Sequence, residues 1–210
     1  MNNKDIYSKT LKGVSWSLLC LLLSITTPSQ ANKIAGIELK ESIKLGEAKL
    51  LLNGAGQRTK YFIDLYIAAL YLTDKTQDAQ TIIDADKVML IQIHVISNLI
   101  TSENLSRGTA EGFSKSTGNN TKAIQSQIDD FLDAFKEPIT LGDIFEIVYQ
   151  PGIGVTIVKN RHITKRISAD MAFKRALFGI WLSDKPAQTS LKNSMLGKNK
   201  LHPTINREGF

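Results

Sequence analysis

The stretch Gly54-Ala55-Gly56-Gln57-Arg58-Thr59-Lys60-Tyr61-Phe62-Ile63-Asp64-Leu65-Tyr66-Ile67-Ala68-Ala69-Leu70-Tyr71-Leu72 decides which folds this chain can adopt. From Thr59 to Leu72 it is aromatic and β-branched and nearly apolar on both faces. That is the composition of a central strand covered on both sides, not of an alternating surface strand. Asn53-Gly54-Ala55-Gly56 just before it reads as a turn, since glycine supplies the positive φ that tight reversals need. Arg58 stands at the entrance to the strand, and tyrosines 61, 66 and 71 punctuate it.

The flanks extend this reading. Upstream, residues 34–52 alternate apolar and polar with a break at Gly46, which predicts two short edge strands. Downstream, residues 88–97 set Met89, Ile91, Ile93 and Val95 on one face of a second central strand. Thr101 or Ser102 can cap a helix through Lys115, with Leu105, Thr109, Ala110 and Phe113 on one side. Thr121 caps another, where Ile124, Ile128, Phe131, Leu132 and Phe135 recur at helical spacing until Pro138 stops it. Residues 143–150 and 155–159 form a hairpin about Pro151-Gly152-Ile153-Gly154, and a third strand follows a turn at Lys159-Asn160. Ser168 caps a last strong helix bearing Phe173, Ala176, Leu177, Ile180 and Trp181, and a short helix over 190–196 ends at Gly197. Strands, two helices, strands, two helices: this order predicts an α+β fold, an antiparallel sheet with helices on one side, and not a βαβ fold.

Composition bounds the function classes. The chain has 210 residues, 42% of them hydrophobic, and a net charge of +6, which fits one compact domain. The single cysteine, Cys20, excludes an internal disulfide framework, a Cys-rich zinc site and a dithiol redox motif. Lys4, Lys9 and Lys12 precede an apolar run from Val14 to Ile25 and a small-x-small end at Ser29 and Ala31. This predicts a cleaved signal peptide over 1–31, because the run is shorter than the roughly 20 residues that span a bilayer. The expected mature protein is therefore bacterial and exported, periplasmic or secreted, with no transmembrane segment, a domain over 32–197 and a loose tail over 198–210.

Motifs for common chemistries are missing. His94, His162 and His202 lack metal-ligand spacing, and no Gly-x-Ser-x-Gly elbow occurs. The Gly54–Gly56 segment lacks the third glycine of a dinucleotide fingerprint and leads into a strand, where a phosphate cradle needs a helix N-terminus. The Lys and Arg residues are dispersed, so nucleic acid is not an expected partner, and no cofactor or metal is expected. Arg58 remains. Beside an apolar, aromatic-lined space its fork can hold a carboxylate or phenolate, with a tyrosine hydroxyl adding a third hydrogen bond. It can equally close a turn or pair with an acid.

Gly54-Ala55-Gly56-Gln57-Arg58 followed by Tyr66-Ile67-Ala68-Ala69-Leu70-Tyr71-Leu72 resembles the opening of the chalcone isomerase family. Residues 142–154 (Gly-Asp-Ile-Phe-Glu-Ile-Val-Tyr-Gln-Pro-Gly-Ile-Gly) and 176–186 (Ala-Leu-Phe-Gly-Ile-Trp-Leu-Ser-Asp-Lys-Pro) resemble its bacterial chalcone isomerase-like branch, as do Ser190-Leu191-Lys192 and Leu196-Gly197. The resemblance spans about residues 34–197 and implies an open-faced β-sandwich, a long antiparallel sheet covered on one face by a helical layer. In the plant enzymes a strand Arg, a strand Thr, and a helix Tyr and Asn position a chalcone for ring closure. Arg58 matches the Arg, Tyr66 falls on the Thr position, and the helix positions fall near Leu105 and Gly112, which carry no polar side chain. The family's fatty-acid-binding members pair the Arg with a Tyr on the same strand, and Arg58 with Tyr66 resembles that pair. The resemblance thus implies Arg58 and Tyr66 as ligand-binding residues for a small apolar carboxylate or phenolic ligand, most simply a fatty acid bound without catalysis. An isomerase acting on a chalcone-like enone and a ligand-free envelope domain are the alternatives.

Overall fold

The computed structural model describes residues 32–199. The expected leader and nearly all of the expected C-terminal tail lie outside them. Seven strands form one antiparallel sheet in sequence order: β3 (Ser42–Leu45), β4 (Ala48–Lys60), β5 (Ile63–Leu72), β6 (Met89–Val95), β7 (Ile144–Gln150), β8 (Gly154–Lys159) and β9 (His162–Ile167). A separate hairpin, β1 (Asn32–Ile34) with β2 (Ile37–Leu39), precedes it. The helices are α1 (Ala79–Asp84), α2 (Ser102–Ser116), α3 (Gln125–Asp133), α4 (Met171–Leu182) and α5 (Thr189–Met195). The fold class is thus α+β, with a curled seven-stranded antiparallel sheet.

Strand parity sorts the side chains into two cores. On β5, Tyr66, Ala68, Leu70 and Leu72 join the helix-side core, which includes Phe113, Phe131, Phe173 and Trp181. Ile67, Ala69 and Tyr71 face the other way, packing with Leu50, Leu90 and, from the β1–β2 hairpin, Ile34 and Leu39. This double burial is why 66–72 is apolar at every position. Tyr71 is spent on the second core, its hydroxyl donating to the Lys40 carbonyl at 3.1 Å.

Several expectations are corrected. Asn53–Gly56 is no turn: β4 runs through it to Lys60, with register irregularities between Leu52 and Gly54 and between Arg58 and Thr59. Nor is 59–72 one strand. Thr59 and Lys60 end β4, and a two-residue loop, Tyr61-Phe62, reverses the chain into β5. Both loop residues have positive φ, 51° and 64°. This is the conformation of a hairpin turn that normally takes Asn-Gly, and bulky side chains hold it at a cost of roughly 1–2 kcal/mol each. No turn residue marks the reversal, so composition alone hid it.

Other differences are local. Asp170, not Ser168, caps α4, its carboxylate accepting from the Phe173 N–H at 2.9 Å. Thr121 makes no side-chain cap; a 3₁₀ turn over Lys122–Ile124 leads into α3, which ends at Asp133, well short of Pro138. Ala110 is exposed, and Gly112 takes its place on the buried side of α2. The short α1, capped by Asp78, was not expected at all. Thr101 caps α2 as expected, accepting from the Asn104 N–H at 3.1 Å.

Candidate functional site

The site begins with one extra residue. Leu52 pairs with Tyr71 and Gly54 with Leu70, so Asn53 is a β-bulge. Its amide locks the bulge in place: Nδ2 donates to the Met195 carbonyl at 2.8 Å, and Oδ1 accepts from the Thr76 N–H at 2.8 Å. A bulge reverses side-chain parity beyond it. Leu50 and Leu52 therefore belong to the outer core, while Gly54, Gly56 and Arg58 lie opposite Leu70, Ala68 and Tyr66 on the helix side.

The two glycines are there because α5 lies against β4. A Cβ on Gly54 would overlap the Ser194 carbonyl oxygen, and one on Gly56 would stand 2.6 Å from Ser194 Cβ. Seated this closely, α5 brings its N-cap residue Gln188 over the end of the strand. Gln188 Oε1 accepts from the Thr59 N–H at 2.9 Å and from Arg58 Nη1 at 3.1 Å, and Nη1 also donates to the Thr59 carbonyl at 2.9 Å. The guanidinium is half-buried, and among the described residues it makes no ion pair.

Arg58 and Tyr66 are brought together, but on neighbouring strands and not on one. Eight residues along a single strand would separate them by about 26 Å. The Tyr61-Phe62 reversal instead makes them direct cross-strand partners. A second irregularity, with Leu65 as the extra residue between Tyr66 and Asp64, lets Leu65 and Tyr66 both line the same space. Tyr66 is 8% exposed, and its hydroxyl accepts from Trp181 Nε1 of α4 at 3.2 Å. Burial pushes its pKa above the ordinary value, against the opposing pull of Trp181 and Arg58, so the phenol stays neutral.

Both residues line a cavity of about 320 Å³ between the sheet and the helices. That volume is at the lower end of the roughly 300–1,000 Å³ usual for small-molecule sites. Ile93 and Ile147 form its floor, Leu105, Gly112 and Ile180 its roof, and Phe131 and Phe135 also line it. The expected helix positions Leu105 and Gly112 do face it and offer no polar side chain; Asn104 and Thr109 of α2 line it as well. Gly112 lets α2 approach α4, since a Cβ there would come 2.7 Å from Ile180 Cγ2. The arrangement is a largely apolar chamber in which the Arg58 fork and the neutral Tyr66 hydroxyl lie near each other, with Lys60, Arg107, Glu111 and Lys115 also along its lining. It can hold an anionic head and a greasy body.

The sequence reading placed Trp181 only in the core and passed over Gln188. A buried indole needs an acceptor for its N–H, which was the available signal for Trp181. Nothing local marked Gln188, whose role depends on where α5 lands. His94 is structural: it is buried, and its Nε2 lies 2.9 Å from Gln92 Oε1.

The sequence profile of the chalcone isomerase-like family matches residues 31–197. Among solved structures, a fatty-acid-binding protein of Arabidopsis thaliana is similar with a TM-score of 0.62 at 15% identity, covering 78% of this chain and 93% of that one. No curated protein matches the sequence.

Proposed function

Because the chain belongs to the chalcone isomerase-like family, we propose that its sheet–helix cavity binds a fatty acid or a similar apolar carboxylate without transforming it. One observation carries this reading: a half-buried arginine with no acidic partner among the described residues lines an otherwise largely apolar cavity. A guanidinium in that setting favours an anion, and a carboxylate fits its fork. The Tyr66 hydroxyl, already accepting from Trp181, has its proton to donate to a second carboxylate oxygen. The acyl chain supplies most of the affinity, at about 0.8 kcal/mol per methylene buried. The similarity to a fatty-acid-binding protein supports the same reading.

The test compares a fatty acid with the alcohol of equal chain length by titration calorimetry. Arg58→Ala should weaken acid binding about tenfold or more, as expected for a charge-assisted bond, and leave the alcohol nearly unchanged. Equal losses for both ligands would refute carboxylate recognition. A chalcone consumed faster by the purified protein than by buffer would overturn the non-catalytic reading, and native extraction that yields no bound lipid would favour a ligand-free domain. The leader-like residues 1–31 support export of the mature protein, which N-terminal mass spectrometry of an expressed, processed sample checks.

A further inference from the structure

Seven large hydrophobic residues are exposed among the described residues, and they are not scattered. Tyr61, Phe62 and Ile63 form the β4–β5 tip; Leu99 follows β6, Leu141 precedes β7, and Ile163 is the second residue of β9. The antiparallel register puts all six at one end of the sheet, because Tyr66 pairs with Val95, the Gly142 N–H donates to the Val95 carbonyl, and Lys159 pairs with His162. Only Ile153 lies at the other end, in the β7–β8 turn. Phe62 is fully exposed and Tyr61 is 82% exposed. Both are held there by a backbone conformation that glycine or asparagine would adopt with less strain.

The cavity opens at this same end. Tyr61, Ile63 and Leu99 are exposed and also line it. The charges around it are mostly basic: Arg58, Lys60, Arg107 and Lys115, against Glu111 alone. Lys60 lies with Nζ 5.6 Å from the Tyr61 ring centroid, and Arg107 shares its charge with Glu103 at 3.6 Å. Aromatic and aliphatic side chains on loop tips, flanked by cations on long stems, suit the boundary of an anionic bilayer. The rings enter the headgroup region while the ammonium and guanidinium groups meet lipid phosphates.

We propose that the β4–β5 tip, with Leu99 and the basic rim beside it, docks this end of the sheet on an anionic lipid bilayer, so that the cavity opens onto the lipid. A fatty acid then passes between membrane and cavity without crossing bulk water. That transfer rests on the ligand reading above; the docking does not. The test therefore uses ligand-free protein and sedimentation with vesicles of phosphatidylcholine, with or without phosphatidylglycerol. Binding should be at least tenfold tighter to the anionic vesicles and weaken steeply with salt. Phe62→Gly, which suits the positive φ and lies outside the cavity lining, should raise the melting temperature and cut vesicle affinity at least fivefold. Lys60→Glu should lose the anionic preference. Failure of the natural protein to bind either vesicle, or unchanged binding by folded Phe62→Gly, overturns the proposal, as does occupancy of the tip by a protein partner while vesicles are ignored. Vesicle binding with no fatty-acid binding would leave the docking standing and remove only the transfer.

Discussion

Tyr66 separates the two halves of a phenol's hydrogen bonding. Its oxygen accepts from Trp181 Nε1, and its proton is left for whatever fills the cavity. Tyr66→Phe therefore does two measurable things. It strands a buried indole N–H, which should cost about 1–3 kcal/mol in urea unfolding, and it removes one donor to the carboxylate. Arg58→Ala strands no buried donor, so it should weaken binding with little loss of stability; comparable instability in both variants would contradict this division of roles. Lys174 carries a different kind of buried polarity. It is fully buried on α4, and its ammonium donates to the carbonyls of Ile82, Ile83 and Ala85 at 2.7–2.8 Å, closing the end of α1. Burial pushes its pKa from 10.5 down to about 8. Below pH 8 folded and unfolded chains both hold the proton. Between there and 10.5 only the unfolded chain does, so this group's contribution to stability rises with pH. The stability difference between the natural protein and Lys174→Met should grow in the natural protein's favour from pH 8 to 9.5, by on the order of 1 kcal/mol per pH unit. A flat difference would show that the three carbonyls hold the charge in place.

Pairs of elements explain what single residues cannot. α5 can lie on β4 only because Gly54 and Gly56 have no Cβ, and through Gln188 it then positions Arg58. Gly54→Ala meets backbone, the Ser194 carbonyl, and should cost about 3 kcal/mol or more; Gly56→Ala meets mainly the Ser194 side chain and should cost about 1–3 kcal/mol. Ser194→Gly should therefore recover part of the loss from Gly56→Ala and none of that from Gly54→Ala, a double-mutant comparison readable by thermal melts. Equal rescue of both would mean that α5 is not seated as described. This pair also shows what was legible in the sequence. The apolar run over 66–72, the Thr101 cap and the β7–β8 hairpin could be read because each is a local pattern. Gly54 and Gly56 were misread as a turn, although glycine inside a strand also signals a bulge or a close backbone approach. The reversal at Tyr61-Phe62 left no such trace, since two aromatic residues occupy positions that propensity assigns to Asn and Gly. Arg58 and Tyr66 were found, but their proximity follows from that hidden reversal and from the Asn53 bulge.

Across the whole molecule the two faces of the sheet are packed to different ends. The β1–β2 side closes over Leu50, Ile67, Ala69 and Tyr71, whereas the helix side leaves about 320 Å³ open beneath α2. No local pattern could announce that space, because it is the volume that side chains from seven separate elements, β4 to β7 and α2 to α4, fail to fill. Gly108 marks it best. It lies inside α2, exposed at the rim of the cavity, and a Cβ there would meet nothing within 4 Å. A helix-interior glycine without a packing reason is a stability cost that evolution could remove by a single change. Gly108→Ala should accordingly stabilise the free protein by about 0.5–1 kcal/mol. Gly108→Leu should also keep the fold while obstructing the chamber's rim. A fatty acid at one hundred times its Kd stabilises by about 2.7 kcal/mol, which for a domain of this size raises Tm by roughly 5–10 °C. That rise should be present in the natural protein and in Gly108→Ala, and absent in Gly108→Leu. If the leucine variant still shows the full rise, the acyl chain does not pass the rim beneath Gly108, and this route into the space under α2 is refuted.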